Sequence, residues 1–191
     1  NNSNNNNLDF SPTSYRALEA VEKHIFWIKC SISSNIPDMD HIDRQIAKIL
    51  QEDARMSNAD MAARIGVSVS TASERVRKLV ANGVIRSFHG TLDPAAAGAK
   101  LCCFVLIDME YYGEAAACEA LVKRPEVMEL HHISGAHSYL MKVRVADTDA
   151  LQQFLQTEVK PLPAIKRTET VISLDALKES SVMKVTGADR D

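Results

Sequence analysis

The chain between Ser57 and Leu92 reads SNADMAARIGVSVSTASERVRKLVANGVIRSFHGTL. Ser57 carries the small hydroxyl that is favoured at a helix N-cap, and Asp60, three residues later, resembles the acidic member of a capping box. Gly66 tolerates the positive φ that ends many helices, and Ser68 can cap a second helix soon after it. The pattern predicts a short helix, a tight turn, a second helix and an extended segment.

The second helix is predicted to be amphipathic, and Asn82-Gly83 predicts its end. Its apolar residues recur with helical spacing and predict one buried stripe, made of Val69, Ala72, Val76, Leu79 and Val80. The polar side combines small hydroxyls, one carboxylate and three cations, namely Ser70, Thr71, Glu74, Arg75, Arg77 and Lys78. On the helix alone, a solvated surface face explains these residues as well as a binding face does.

Two helices joined by a short glycine-containing turn form the helix-turn-helix arrangement, which favours DNA as the partner of the polar side. Hydroxyls and helix N-terminal amides can take phosphates, and arginine or lysine can take phosphates or guanine edges. A glutamate can accept from the cytosine amino group. The predicted DNA-binding residues are Ser68, Ser70, Thr71, Glu74, Arg75, Arg77, Lys78 and Arg86.

Motifs on both sides extend this pattern. They are DRQIAKILQ at 43–51, ARMS at 54–57, GVS at 66–68, RVRKL at 75–79 and GVI at 83–85. Their order and spacing resemble the Lrp/AsnC (feast/famine) family of transcriptional regulators, from about Met39 to about Val185. The resemblance implies a winged helix-turn-helix followed by a ferredoxin-like domain that regulates amino-acid metabolism.

The charge distribution agrees with a local DNA-binding face. The 191-residue chain has a formal net charge of -3, so it is not globally basic. Between Arg64 and Leu92, however, five cations stand against Glu74 alone. A basic patch on an otherwise acidic body is typical of a protein that binds nucleic acid through one face.

The predicted fold class is α+β, because the hydrophobic pattern is helical in the first part of the chain and alternates between strands and helices in the second. The predicted parts are an extension at 1–38, a winged helix-turn-helix domain at 39–92, a hinge at 93–99, a ferredoxin-like domain at 100–178 and a tail at 179–191. The extension begins with the low-complexity NNSNNNN and has helical periodicity between Tyr15 and Ile32. It is either a native helix or sequence upstream of the true start, and the resemblance that begins near Met39 favours the second.

The predicted elements of the two domains follow from periodicity. A first helix runs from Met39 to Asp53, and the β-prone residues 84–92 form a wing or connecting strand. The second domain has the order β-α-β-β-α-β of the ferredoxin-like plan. Its predicted elements are a strand at 101–109 buried on both faces, a helix at 114–123, strands at 127–134 and 139–145, a helix capped by Thr148, and a strand at 165–174.

A candidate effector loop lies between the two middle strands. In the family this loop has a glycine, two variable residues and an aspartate before an aromatic residue, lies at a contact between dimers and helps bind a small amino acid. Gly135 and Tyr139 match this form, with His137 between them, but Ser138 stands where the aspartate would be. Losing a charge-assisted bond to the ligand's ammonium group weakens binding by about 1–2 kcal/mol. Four alternatives remain open for this loop. It binds an amino acid weakly, binds a ligand of different charge, binds no ligand, or is a plain hairpin without a binding role.

No other chemistry is indicated. The cysteines Cys30, Cys102, Cys103 and Cys118 lack metal-ligand spacing and predict small buried residues in a reducing compartment. His131 and His132 are adjacent and would face opposite ways on a strand, which disfavours a metal shared with His137. Catalytic and cofactor motifs are not found, and neither is a signal peptide or a membrane-length apolar run, so the expected location is the cytoplasm.

Three functions are consistent with this sequence. The first is a transcriptional regulator that binds double-stranded DNA as a homodimer, assembles to a tetramer or octamer and responds to an amino acid. The second is an architectural DNA-binding protein of the same fold without a ligand. The third, an amino-acid-binding domain attached to an enzyme, is disfavoured because a helix-turn-helix and not a catalytic domain accompanies it.

Overall fold

The computed structural model describes residues 39–186, which fall into two units. Residues 39–87 and 184–186 belong to the first unit, and residues 88–183 form the second. The division falls between Ser87 and Phe88. The predicted hinge at 93–99 and the other predicted domain limits stay predictions, and the predictions for the extension and for Cys30 lie outside the described residues.

Three helices form the first unit, and each begins at a side-chain cap. They are α1 (His41–Glu52), α2 (Asn58–Ile65) and α3 (Val69–Ala81). The caps Asp40, Ser57 and Ser68 each accept a hydrogen bond from the backbone N–H three residues later. Gly66 ends α2 with a φ of 75°, in the left-handed region that glycine enters without strain. The predicted caps and turn of the helix-turn-helix are confirmed.

The core of the first unit is small. It consists of Ile46 and Ile49 of α1, Met61 of α2 and Leu79 of α3. Burying an aliphatic side chain of this size contributes about 1.5–3 kcal/mol, so this cluster holds the three helices together.

The predicted buried stripe of α3 is partly wrong. Ala72 and Leu79 are buried, but Val69 and Val80 are 52% and 43% exposed. At about 100° per residue, these two valines lie roughly 60–80° away from Ala72 around the helix axis. They therefore stand at the edge of the contact with α1 and α2, outside the part that packs.

The predicted wing or connecting strand at 84–92 is not formed. Val84 and Ile85 pack against the core of the first unit, but residues 86–92 carry neither helix nor strand. Phe88 and Leu92 are exposed. A β-strand needs a partner to take up its backbone N–H and C=O groups. The local β-propensity of this segment meets no partner strand in the described chain.

A four-stranded antiparallel sheet organises the second unit. Its strands are β1 (Leu101–Met109), β2 (Val127–His132), β3 (Tyr139–Val145) and β4 (Ile165–Ile172), in the order β2-β3-β1-β4. The helices are α4 (Glu114–Val122) and α5 (Thr148–Phe154), the second continued by a π-helical turn at Leu155–Val159. The α+β class and the ferredoxin-like order are confirmed. The cap of α5 is Asp147 and not Thr148, because the Asp147 carboxylate accepts from the Ala150 N–H.

The two faces of the sheet differ. On the inner face, Val105, Met141 and Val143 are fully buried against Leu121 of α4 and Phe154 of α5. Side chains alternate along a strand, so the intervening residues point to the other, outer face. The apolar centre of that face is formed by Phe104, Leu106, Leu140 and Val171.

The prediction that β1 is buried on both faces is therefore wrong for most of the outer face, where Cys102 is buried but its neighbours along the face are not. Phe104 and Leu106 are half-buried and Val171 is exposed. The helices α4 and α5 cover the inner side of the sheet, and no helix among residues 39–186 covers the outer side. No helix of that range is long and apolar enough to cross a membrane.

Candidate nucleic-acid interface

The first turn of α3 gathers three hydroxyl groups. Ser68 Oγ accepts from the Thr71 N–H at 3.1 Å and lies 2.9 Å from Ser70 Oγ and 2.7 Å from Thr71 Oγ1. Ser68 and Ser70 are exposed, and Thr71 is half-buried. Because unpaired backbone N–H groups and the positive end of the helix dipole lie at the same place, this turn is suited to a phosphate.

The outward side of α3 continues with charged residues. Glu74, Arg77 and Lys78 are exposed, and none of them makes an ion pair with another residue of the described chain. Arg86, after the helix, is also exposed. The structure thus brings together on one exposed side most of the residues that the sequence predicts to bind DNA.

Arg75 is placed differently. Its guanidinium pairs with the carboxylate of Asp40, and its Nη1 lies 3.2 Å from Asp43 Oδ1. Its side chain is 30% exposed. The sequence predicts Arg75 as a DNA contact, but in the structure its donors are directed to the start of α1.

These ion pairs shift the pKa values of both partners. The hydrogen bonds to Asp40 and then to Asp43 raise the pKa of Arg75. Partial burial by itself raises the pKa of Asp40, but the Asp43 N–H and the Arg75 guanidinium outweigh it and lower that pKa below its ordinary value. The pair therefore stays fully charged at neutral pH and ties α3 to the N-terminal end of α1.

Sequence reasoning missed this connection for a physical reason. Asp40 and Asp43 stand 35 and 32 residues before Arg75. At the start of a helix, two aspartates are already explained by capping and by the helix dipole. No local signal distinguishes such residues from partners of a distant arginine.

The predicted effector loop lies at the outer face of the sheet. Gly135 has a φ of 133°, which L side chains rarely adopt. His137 is half-buried, with Nδ1 3.1 Å from Asp108 Oδ1 and Nε2 3.9 Å from Glu169 Oε2. Asp108 is on β1 and Glu169 on β4, so the imidazole joins the loop to two strands. The sequence did not predict these two carboxylates, since only strand pairing brings them beside the loop.

Ser138 and Tyr139 have different environments. The Ser138 N–H donates to the Ile107 carbonyl at 3.1 Å, and its side chain is half-buried. Tyr139 is 8% exposed and belongs to the inner-face core. Burial and hydrogen bonds with Cys118 and Glu114 raise the pKa of its hydroxyl. Gly135, His137 and Ser138 thus share the loop, whereas the Tyr139 ring packs under the sheet.

His131, His132, Cys103 and Cys118 each have a partner or are shielded from solvent within the described chain. His131 Nε2 lies 3.0 Å from Glu129 Oε2, and His132 stacks on Tyr139 with 4.9 Å between ring centroids. Burial raises the pKa of the thiols of Cys103 and Cys118. No group of three His, Cys, Asp or Glu residues within 39–186 is arranged to hold a metal ion.

Two family models match the chain. Residues 39–86 match the winged helix-turn-helix DNA-binding model, and residues 102–183 match the Lrp/AsnC ligand binding domain. An HTH-type transcriptional regulator of Pyrococcus horikoshii is 40% identical over 71% of this chain and 85% of its own length. The chain belongs to the Lrp/AsnC family.

Two further members of the Lrp/AsnC family support the assignment. The leucine-responsive regulatory protein of Escherichia coli is 35% identical over 75% of this chain and 90% of its own length. The structure of a feast or famine regulatory protein from M. tuberculosis complexed with L-methionine has a TM-score of 0.71 and 31% identity, over 76% of this chain and 98% of that one. The protein is accordingly a DNA-binding transcriptional regulator with an amino-acid-binding type of C-terminal domain, and not an enzyme.

Proposed function

We propose that this Lrp/AsnC regulator binds double-stranded DNA as a homodimer, with the exposed side of α3 in the major groove. The observation that carries this proposal is the set of cations and hydroxyls on α3 that have no acidic partner in the described chain. Charges left without partners on one side of a helix-turn-helix are available to a polyanion.

Each residue of this face has a role that fits its position. Ser68, Ser70 and Thr71 surround the helix N-terminus and take a backbone phosphate. Arg77 and Lys78 take phosphates or guanine edges, and Glu74 accepts from a cytosine amino group. Arg86 adds a phosphate contact after the helix, whereas Arg75 acts through Asp40 and Asp43 by holding α3 in place.

The outer face of the sheet supports the proposed dimer. Phe104, Leu106, Leu140 and Val171 form an apolar centre that no described helix covers. Charged clusters flank it, with His137, Asp108 and Glu169 toward one end and Lys142, Arg144 and Glu179 toward the other. Such a face can pair with its copy about a two-fold axis, and two dimers or four can then build a tetramer or an octamer.

A small amino acid is the proposed effector of the loop at Gly135. The relative from M. tuberculosis is complexed with L-methionine, and the C-terminal domain is of the same type. Ser138 offers a neutral hydroxyl to the ligand's ammonium group, but the Asp108 and Glu169 carboxylates at His137 lie beside the loop. We therefore propose that the effector is held more weakly than by a loop aspartate, and that the protein acts in the cytoplasm, where its DNA is.

A binding titration tests this function. Fluorescence anisotropy of a labelled duplex would be followed at low and at physiological salt, with and without a panel of amino acids. Saturable binding that one amino acid shifts supports the regulator. Saturable binding that no amino acid shifts favours the architectural protein instead. Ser138 supports this second candidate, because it replaces the aspartate that would pair with an amino-acid ligand. Failure to bind any duplex at low salt contradicts both.

A further inference from the structure

Within residues 39–186, the chain passes between the two units twice. Residues 88–99 lead from the first unit toward β1, and residues 173–183 lead from β4 back to residues 184–186. Those last residues belong to the first unit, where they lie beside α1. We name residues 173–183 the C-terminal connection. It carries neither helix nor strand, so its path depends on contacts with other segments.

Two anchors hold the C-terminal connection on the sheet. At its start, the Ser173 N–H donates to the Cys102 carbonyl of β1 at 3.0 Å. Further along, the Glu179 carboxylate pairs with Lys142 and Arg144, two outer-face residues of β3. In the sheet, β1 lies between β4 and β3. The connection therefore leaves the edge strand β4 and reaches a strand two positions away.

The second anchor is made of charges that are shielded from water. The side chains of Arg144 and Lys142 are 10% and 15% exposed, and Glu179 gives both of them a carboxylate partner. The hydrogen bonds from Lys142 and then from Arg144 lower the pKa of Glu179, although partial burial opposes this shift. Glu179 is therefore ionised at neutral pH, and salt screens these pairs less than it screens exposed ones. We name Lys142, Arg144 and Glu179 the clamp.

Arg144 also reaches the other connection between the units. Its Nη1 lies 3.4 Å from the Ala99 carbonyl oxygen, while its Nη2 pairs with Glu179. A guanidinium presents its N–H groups in a fixed planar fork, so one arginine can hold two acceptors in a defined arrangement. Both segments that lead to the first unit thus meet the same side chain.

The clamp shortens the free part of the C-terminal connection. The five steps from Glu179 to Lys184 span at most about 18 Å when the chain is fully extended. If Glu179 is released, the free part begins at Ser173 and its eleven steps span up to about 40 Å. The other connection has twelve steps from Ser87 to Ala99. The clamped segment is therefore the shorter tether, and it limits how far the first unit can be displaced from the clamp.

We propose that the clamp is a positioning device for DNA binding, which keeps α3 of each protomer on a short tether. The inference rests on the proposed binding of DNA by a homodimer. Once one α3 has bound, the tether sets the effective concentration of the second α3 at its half-site. That concentration falls roughly as the −3/2 power of tether length, so a change from five to eleven steps lowers it about threefold.

Variants of the full chain test the clamp. Glu179→Ala removes the carboxylate from a segment without helix or strand, and Arg144→Ala frees both connections without changing the sequence of either. Glu110→Ala is the matched control, because it makes the same change of charge at the other end of β1, where Glu110 pairs with Lys166 at 2.9 Å. Thermal melts establish that each variant is folded. If the buried Arg144 cannot be replaced, Glu179→Ala alone decides the test.

The first arm measures the gain from a second α3. Anisotropy titrations at low salt compare a duplex of about 12 base pairs, long enough for one α3, with one of about 40 base pairs, long enough for two. The ratio of the two affinities should be about threefold lower in Glu179→Ala and Arg144→Ala than in wild type, with unchanged affinity for the short duplex. Glu110→Ala should keep the wild-type ratio. Lys178→Ala is a second control in this arm, because Lys178 is an exposed residue of the C-terminal connection outside the clamp.

The second arm follows the C-terminal connection in the DNA-free protein. Leu177 is 94% exposed and lies between the two anchors. A protease cuts such a segment faster when one anchor is lost, because the segment can then enter the protease's active site. Chymotrypsin should therefore cleave after Leu177 several-fold faster in both clamp variants than in wild type and Glu110→Ala. Light scattering should give every variant the wild-type mass.

The outcomes separate this inference from the proposed function. A lower affinity ratio with faster cleavage supports the positioning role. Unchanged cleavage overturns it, and so does faster cleavage with an unchanged ratio. A changed mass also overturns it, because Glu179 would then act in the dimer contact. A wild type that gains nothing from the longer duplex instead contradicts the proposed homodimeric binding and removes the positioning role with it, whereas the cleavage rates still show whether the clamp holds the connection.

Discussion

Lys78 and Arg77 stand on the exposed side of α3 without an acidic partner among the described residues, which makes them the sharpest test of direct DNA contact. Lys78→Ala should weaken duplex binding and lower the slope of log K against log salt by about 1, because one fewer counterion is released. Anisotropy titrations at several salt concentrations measure this slope. Lys178→Ala serves as the control, and a Lys78→Ala slope equal to wild type would contradict the proposed contact.

Arg75→Ala should affect stability and not the salt dependence of DNA binding, because Arg75 holds α3 to α1 through Asp40 and Asp43. We expect an unfolding free energy lower by up to about 1 kcal/mol, the range of partly exposed ion pairs, and weaker DNA binding with an unchanged salt slope. A slope lowered as in Lys78→Ala would show instead that Arg75 touches phosphate.

The stability difference between Arg75→Ala and wild type should depend on pH. The folded-state pKa of Asp40 is lowered below the ordinary value of 3.8, so the stabilisation is fully present above about pH 4 and is lost as the pH falls through the lowered value. In thermal melts from pH 7 down to about pH 3, the difference between the two proteins should therefore stay constant above about pH 4 and become smaller below it. A constant difference over this range would exclude the Asp40 carboxylate as its source.

Among the elements, the junction of α2 and α3 depends on one backbone conformation. Gly66 has a φ of 75° and no atom within 4 Å of an added Cβ, so Gly66→Ala introduces strain without a clash. The expected loss of stability is about 1–2 kcal/mol, the cost of placing an L side chain in the left-handed region. Gly90→Ala is the control, because Gly90 also has open space but no positive φ. Denaturant unfolding that gives equal stabilities for the two variants would contradict this account of the turn.

The elements also show what a sequence can and cannot predict. The caps Ser57 and Ser68 and the turn at Gly66 follow from residues a few positions apart, and these predictions are confirmed. Residues 86–92 have strand propensity, but a strand also needs a partner, which local sequence does not specify.

The same difference between local signals and distant contacts holds for the DNA-binding face of α3 and for the effector loop. The hydroxyl and cation pattern of α3 could be predicted because helical periodicity places those residues on one side. The Arg75 ion pairs and the carboxylates beside His137 could not, because packing between distant segments creates them.

At the scale of the whole molecule, the proposed dimer depends on the outer face of the sheet. Phe104→Glu places a charge in the middle of that face and should yield a monomer, because an unpaired buried charge is costly in an interface. Val122→Glu is the control, since Val122 is exposed on α4, on the other side of the sheet. Size-exclusion chromatography with light scattering measures the mass. A Phe104→Glu protein with the wild-type mass would contradict this interface.

The central claim is that two copies of α3 read duplex DNA together. It is tested most directly by sequencing the fragments that the purified protein retains from a random duplex pool at physiological salt. The account predicts an enriched, roughly palindromic site whose half-sites are about 10 base pairs apart, or a multiple of that distance. Retention of fragments without any enriched sequence, or no retention even at low salt, would contradict it.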